Sequence, residues 1–229
     1  MFENEAKNKI FFPKDLKDFR IHFVGIKGTG MAALVEICVS RGAIVTGSDV
    51  PDHFYTDEIL KKLNIIPYTE FKKENITDDI KLVVYSSAYK LEENPELVEA
   101  TKKNIPCMLY SHALGNISAM SCSSGIAGVH GKTTTTSMLT QVLYTADVDL
   151  SAFIGGKLPC IGGSGLAGKS DIMVCESCEF VDTFLKLYPD IAVILNIDAD
   201  HLDYFKTLDN IIKSFRKFSE MATKALIIN

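Results

Sequence analysis

Gly128-Val129-His130-Gly131-Lys132-Thr133-Thr134-Thr135-Thr136 decides how this chain folds. It follows a small apolar segment ending at Ala127 and opens a helix-like run over residues 137–146. A glycine turn of this kind between a strand and a helix, closed by Lys and Thr, reads as a phosphate-binding loop. Backbone N–H groups turn toward a polyphosphate, Lys132 reaches its terminal oxygens, and the Thr133 hydroxyl can ligate Mg²⁺. The N-terminus of the following helix adds the positive end of its dipole. The expected ligand is a nucleoside triphosphate, ATP or GTP, on Gly128, His130, Gly131, Lys132, Thr133 and Thr134. The general pattern has a further Gly where this chain has Ile126, so a shorter Gly-x-x-Gly-Lys-Thr core remains. The competing reading is a threonine-rich helix start after an ordinary turn, which does not call for Gly-Lys-Thr at a strand–helix junction.

Composition suits a soluble globular protein with a substantial core. The 229 residues are 47% hydrophobic, enough for one large domain or two of modest size. A net charge of −5 gives no general nucleic-acid or anionic-membrane surface, so an anionic ligand must be held locally. No apolar run approaches the roughly 20 residues of a membrane span. Residues 1–9 are polar, with no apolar signal core, and a cytoplasmic location is expected. Of the six cysteines only Cys175 and Cys178 form a Cys-x-x-Cys pair. Without a second pair, a structural zinc site is not expected.

Alternating strands and helices extend outward from the loop. Residues 21–26 read as a buried strand, 27–30 as a glycine turn, 31–41 as a helix and 43–47 as a strand ending in Ser48-Asp49. This βαβ unit implies a parallel sheet. Residues 56–63 and 94–103 read as helices, the second with Asn94 as N-cap and Pro95 at the first position. Short strands are expected at 65–66, 81–85 and 105–110. Beyond the phosphate loop, strands are expected at 151–154, 171–175, 191–197 and 224–229. A helix over 207–222 carries Leu208, Ile211, Ile212, Phe215 and Phe218 on one face, and 159–169 reads as a glycine-rich loop. The expected fold class is α/β. A Rossmann-like parallel-sheet domain over residues 1–118 precedes a P-loop α/β domain over 119–229.

Ligands of open parallel sheets bind beyond the carboxyl ends of the strands. Around Gly25-Ile26-Lys27-Gly28-Thr29-Gly30 this places a diphosphate at the helix N-terminus and a ribose or base near Ser48-Asp49, with Ser86-Ser87 at a neighbouring strand end. The turn is not the dinucleotide pattern Gly-x-Gly-x-x-Gly. Asp49 nevertheless follows Gly30 by 19 residues, which keeps a nicotinamide-dependent dehydrogenase as a competitor. Around the phosphate loop, Cys175-Glu176-Ser177-Cys178-Glu179 and Asn196-Ile197-Asp198-Ala199-Asp200-His201-Leu202-Asp203 follow two other strands. Glu176, Thr133 and His201 can complete a Mg²⁺ shell whose remaining ligands are phosphate oxygens. Taken singly, Glu176 reads equally as an exposed loop acid and His201 as a helix-cap contact. Which of Glu176, Glu179 and His201 touches metal stays open, as does whether His130 steers an anion or bonds locally.

These stretches, with Ser86-Ser87-Ala88 and Asn94-Pro95-Glu96, occur in an order that resembles the Mur ligases, the builders of the bacterial cell-wall peptide. His130 inside the loop is similar to the branches that add L-alanine or recycle a tripeptide. The resemblance implies ATP-dependent phosphorylation of the lactyl carboxylate of UDP-N-acetylmuramate, then attack by the amine of L-alanine. It assigns Lys132 to the β- and γ-phosphates, Thr133 to one Mg²⁺, and Glu176 and His201 to a second. Gly25, Lys27, Gly28, Thr29, Gly30, Ser48, Asp49, Ser86 and Ser87 are assigned to the UDP-sugar. Three positions depart from the family pattern: Val129 for Thr, Ser164 for Asn and His112 for an acid. The family has three domains, so the chain is expected to hold the first and the opening part of the second. On that basis it is expected not to ligate L-alanine by itself, and its last strand to favour self-association. A non-catalytic UDP-sugar or nucleotide module is the alternative from another class.

Overall fold

The computed structural model describes residues 12–13 and 15–229; residues 1–9, read above as a polar N-terminus, lie outside them. The first sheet has four strands, β1 (Arg20–Val24), β2 (Ile44–Ser48), β3 (Leu82–Tyr85) and β4 (Cys107–Leu109), in the order β2-β1-β3-β4. Every pairing in it is parallel. This order reverses direction between β1 and β3, which is where open α/β sheets hold ligands. Helix α1 (Thr29–Ser40) connects β1 to β2 and is apolar nearly all round. A helix of that kind is stable only when covered on several sides. Met31, Ala32, Ala33, Leu34, Val35, Ile37 and Cys38 are all buried.

Helix α2 (Asp57–Lys62) and helix α3 (Pro95–Lys102) complete this layer. The Asn94 side chain caps α3 by accepting from the N–H groups of Glu96 and Leu97 at 2.9 and 3.3 Å. Residues 65–66 do not form a strand. A single bridge joins Ser48 to Tyr68, and Ile66 is 91% exposed, so nothing holds the segment in a ladder. The strand expected at 105–110 ends at Leu109, and Tyr110 with residues 111–119, for which the sequence predicts no element, forms helix α4 (Tyr110–Ala119) between the two sheets.

The second sheet contains β5 (Cys122–Ala127), β6 (Ser151–Leu158), β7 (Gly163–Leu166), β8 (Ile172–Glu176), β9 (Ile191–Ile194) and β10 (Ala225–Ile228). Their order is β10-β9-β5-β8-β6-β7. β5 is flanked by β8 and β9, so the ends of these three strands lie side by side. Helix α5 (Lys132–Thr145) begins at the lysine, five residues before the expected helix start at Ser137. Gly131 adopts the left-handed conformation at its N-cap (φ 84°), which lets the chain turn straight into the helix.

The expected loop over 159–169 is instead largely a hairpin, with β7 antiparallel to β6. It lies against α1: a Cβ on Gly165 would stand 2.8 Å from the Ala33 Cα. The Gly165 N–H donates to Glu36 Oε2 at 3.1 Å. Loop-like composition here reflects close packing, since only glycine allows the strand to approach the helix backbone. Helix α6 (Leu202–Phe205) precedes helix α7 (Leu208–Glu220). On α7, Ile211, Ser214, Phe215 and Phe218 face inward, while Leu208 and Ile212 are 43% and 40% exposed. The buried stripe is therefore narrower than the sequence suggests. One apolar cluster spans the two sheets, joining Ile21, Phe23 and Leu34 to Phe153, Met173, Cys175 and Leu187. Among the described residues no helix is long and apolar enough to cross a membrane.

Candidate functional site

The phosphate loop runs from the end of β5 into α5. Asn196, directly beyond β9, clamps it. Its Oδ1 accepts from the His130 N–H at 2.8 Å and its Nδ2 donates to the His130 carbonyl at 2.9 Å. The Val129 N–H donates to the Asn196 carbonyl at 3.3 Å. The His130 side chain has no hydrogen-bond partner among the described residues and is exposed, as is Thr134. The sequence places Asn196 in the right stretch but gives it no role; its signal was an Asn as the first polar residue after an apolar strand.

Lys132 is folded back on its own loop. Its Nζ donates to the carbonyls of Gly128 and Val129 at 2.7 and 3.2 Å and lies 3.0 and 2.9 Å from the two carboxylate oxygens of Glu179. The Glu179 side chain is only 2% exposed. Of the acids left open by the sequence, Glu179 is thus the counter-ion of the loop lysine. Thr133 Oγ1 donates to Glu176 Oε1 at 3.0 Å, and the Gly155 N–H donates to Glu176 Oε2 at 2.8 Å. Glu176 ends β8 and Gly155 lies in β6, so two strands fix this carboxylate.

His201 occupies the N-cap position of α6 in a left-handed conformation (φ 50°). Its ring packs on Phe180 at 4.7 Å, and its Nε2 lies 3.9 Å from Glu179 Oε1. Thr133 and Glu176 are therefore in contact, whereas the His201 ring lies between two other carboxylates, 3.9 Å from Glu179 and 4.0 Å from Asp200. Among the described residues no group of three or more His, Cys, Asp or Glu side chains is placed to hold a metal. The Thr133–Glu176 pair offers hard oxygens of the kind Mg²⁺ takes when phosphates complete its shell. Cys175 and Cys178 diverge, one buried in the core and the other exposed. Burial pushes both thiols up, so neither is an activated nucleophile.

The first glycine turn is internally satisfied. Gly25 and Ile26 N–H groups both donate to the Ser48 carbonyl, at 2.8 and 3.2 Å, and the Gly28 N–H donates to the Gly25 carbonyl at 3.3 Å. Asp49 Oδ2 accepts from the Lys27 N–H at 2.7 Å, and Oδ1 from the Val50 N–H at 2.8 Å. Lys27 Nζ donates to the carbonyls of Val50 and Asp52, both at 2.9 Å. Asp49 and Lys27 thus build the turn with groups that the sequence reading offers to a ligand. The donors left for an anion are the N–H groups of Thr29, Gly30 and Met31, which helix geometry leaves without intrahelical partners. Ser86 and Ser87 lie beyond β3, where the Ser86 N–H donates to the Val24 carbonyl at 3.0 Å and Ser87 is exposed.

Tyr89 and Tyr110 are missed by the sequence reading. Tyr89 Oη donates to Asp49 Oδ1 at 3.4 Å, and burial, reinforced by Asp49, pushes its phenol up to about 12. Tyr110 packs on Phe153 at 5.9 Å, and its hydroxyl reaches Gly30 at the start of α1. Desolvation, then the nearby Cys175, Cys178 and Glu176, holds that phenol well above its ordinary value. Tyr110 therefore stands between the two candidate sites. Ser164, in the hairpin, is buried, and its Oγ donates to the Thr29 carbonyl at 3.4 Å.

Comparison with known proteins matches the chain to two family models. One, described as the Mur ligase family, catalytic domain, covers residues 20–121; the other, the Mur ligase middle domain, covers residues 126–229. A UDP-N-acetylmuramate–L-alanine ligase of Treponema pallidum is 42% identical over 204 residues, 89% of this chain and 42% of that protein. One from Clostridium acetobutylicum is 44% identical, over 90% of this chain and 44% of its own length. The chain thus spans less than half the length of these curated relatives. Among solved structures, the UDP-N-acetylmuramate-alanine ligase of Thermotoga maritima superposes with a TM-score of 0.80 at 28% identity, over 90% of this chain and 48% of that one. A UDP-N-acetylmuramate:L-alanyl-gamma-D-glutamyl-meso-diaminopimelate ligase from Neisseria meningitides gives 0.79 at 27% identity, over 93% and 71%.

Proposed function

Because the chain belongs to the Mur ligase family, we propose that it supplies the UDP-sugar and ATP sites of a cytoplasmic ligase joining L-alanine to UDP-N-acetylmuramate. The observation that carries this reading is the meeting of three strand ends in the second sheet. Lys132 follows β5, Glu176 ends β8, and Asn196 follows β9 while clamping the loop between them. The relatives at 42% and 44% identity favour L-alanine over a preformed peptide as the amine. Residues 1–118 would form the UDP-sugar domain and 119–229 the opening part of the ATP domain, a division supported by two separate sheets, the first ending at Leu109 and the second starting at Cys122.

In this reading Lys132 leaves Glu179 and neutralises the β- and γ-phosphates of ATP. Transfer of the γ-phosphoryl group to the lactyl carboxylate gives an acyl phosphate. The amine of L-alanine attacks its carbonyl carbon, and the tetrahedral intermediate releases inorganic phosphate and the amide. Charge neutralisation at the transferring phosphate dominates such chemistry. Bound Mg²⁺ would supply part of it, held by Thr133 and Glu176, with His201 a further candidate ligand. Gly128, Gly131 and Thr134 would line the ATP phosphates. The first turn of α1, with Ser86 and Ser87, would take the UDP diphosphate.

Titration calorimetry of this chain with UDP-N-acetylmuramate, with ATP and Mg²⁺, and with NAD⁺ tests the proposal. Binding of the UDP-sugar is expected. Binding of NAD⁺ alone would sink the ligase reading.

A further inference from the structure

Glu96 is fully buried at the second residue of α3, and no Lys or Arg pairs with it among the described residues. Its carboxyl group instead accepts hydrogen bonds from uncharged donors on two other segments. Oε2 accepts the Ser48 hydroxyl at the end of β2, and Oε1 accepts Asn75 Nδ2 at 2.6 Å. His22 Nε2, on β1, lies 3.5 Å from Oε2, while His22 Nδ1 lies 2.9 Å from Thr46 Oγ1 on β2. The N-terminus of α3 favours an acid at this position.

Burying a carboxyl group costs free energy that such bonds only offset, and an apolar residue would pack the site at less cost. What Glu96 provides is geometry. It fixes Ser48, and the Ser48 carbonyl receives both the Gly25 and the Ile26 N–H. Those two amides set the path of the chain into α1, and hence where the unpartnered N–H groups of Thr29, Gly30 and Met31 point.

We infer that Glu96 is a positioning residue for the anion site at the start of α1, acting through Ser48 on the glycine turn. The ligand it serves, the UDP diphosphate, rests on the function proposed above. Glu96 touches no ligand itself. The hydrogen-bonded path Glu96–Ser48–Gly25/Ile26 carries its effect.

The experiment uses this chain and its variants Glu96→Gln, Ser48→Ala, the double variant, and Ala100→Gly. Ala100 is buried one turn further along the same helix, in the apolar cluster with Val24, Ile76 and Leu97, and its side chain carries no hydrogen-bonding group. Calorimetry with UDP and with UDP-N-acetylmuramate is expected to show at least a tenfold weaker Kd for Glu96→Gln and for Ser48→Ala. The double variant should be no weaker than the worse single, because both break one path. Ala100→Gly should lower Tm while leaving Kd within twofold. A Kd unchanged in Glu96→Gln, or losses that multiply in the double variant, would overturn the inference.

Amide exchange separates this inference from the ligand reading. If the unaltered chain binds neither UDP compound, the ligand reading fails. The path itself is then read from the Gly25 and Ile26 amides of the free chain. Exchange at least tenfold faster in Glu96→Gln supports the path, and unchanged exchange overturns it. Should Glu96→Gln not fold, Ser48→Ala gives the same readout with the carboxyl group in place.

Discussion

Two glycine turns open two helices in this molecule, and they commit their polar groups in opposite ways. In the turn at residues 25–28 every backbone N–H is taken: by Ser48, by Asp49 or by the turn itself. Its lysine, Lys27, is 5% exposed and ties down the carbonyls of Val50 and Asp52. In the turn at residues 128–132, Asn196 holds the backbone at Val129 and His130, and the lysine bonds two carbonyls of its own loop and both oxygens of a carboxylate. Lys27, buried and bonded to carbonyls of the segment after β2, with Asp57 Oδ1 3.6 Å away, is part of the scaffold. Lys132, in direct contact with both carboxylate oxygens of Glu179, is a charge that a phosphate can take over. The first turn is closed before any ligand arrives; the second holds an internal anion where a phosphate would compete.

Replacing the two lysines is the sharpest way to break this comparison. In a full-length ligase carrying this chain, Lys132→Ala is expected to lower turnover by about 10³-fold, the scale seen when one preorganised charge or donor at a transition state is lost. UDP-sugar affinity should stay within twofold, because Lys132 belongs to the second sheet. Steady-state phosphate release checks the first expectation and calorimetry the second. Turnover unchanged in Lys132→Ala would make the second turn as purely structural as the first.

Asp49→Ala tests the other side. It strips the acceptor from the buried Lys27 N–H and from the Val50 N–H. Orphaned buried donors cost about 1–3 kcal/mol each. A loss of about 2–3 kcal/mol in chemical denaturation is expected. If Asp49→Ala leaves stability intact and weakens only UDP-sugar binding, Asp49 is a ligand contact after all.

How far each turn was legible follows from the same difference. The strand–helix junction at Gly131-Lys132-Thr133 could be read because a glycine is the residue that turns a strand straight into a helix. The roles of Lys27 and Asp49 could not, because they depend on which carbonyls and amides the fold brings within 3 Å. Helix α4 was hidden for a related reason. Its apolar residues Ala113, Leu114 and Ile117 pack into the cluster shared by both sheets, and the helix starts from Leu109, whose side chain makes no cap bond, with the cap-type Ser111 already inside it. Gly163 and Gly165 read as loop because a strand pressed against a helix and a turn call for the same residue. The strand order, with β8 inserted beside β5, left no trace in local sequence at all.

Glu179→Gln sharpens the claim that the second turn holds an internal anion. The substitution keeps the shape and removes the charge competing for Lys132. Affinity for ADP without Mg²⁺ is expected to rise about five- to tenfold, near 1 kcal/mol, the low end for a charge-assisted bond. Calorimetry against the unaltered chain measures it. A fall in affinity would mean that Glu179 orients the lysine toward the nucleotide and does not compete with it.

The smallest effect lies where the two halves meet, at Glu36 on α1. Burial pushes its carboxyl up to about 7, opposed by the Gly165 N–H from the β6–β7 hairpin and by Lys62 on α2. The raised value means that folding takes up a proton between the ordinary carboxylate range and pH 7. In that window the folded state binds more protons than the unfolded state, so stability falls as pH rises, and it levels off above about pH 7. A fully buried group with this shift would contribute roughly 3 kcal/mol, but partial exposure screens it to about 1 kcal/mol. Glu36→Gln, which cannot ionise, should remove this slope and leave the chain about 1 kcal/mol more stable at pH 8, with little change at pH 5. Urea denaturation at the two pH values reads it directly. Equal slopes in both proteins would place the hairpin's hold on α1 in its apolar and backbone packing alone, and the contact between the two sites would then be insensitive to pH.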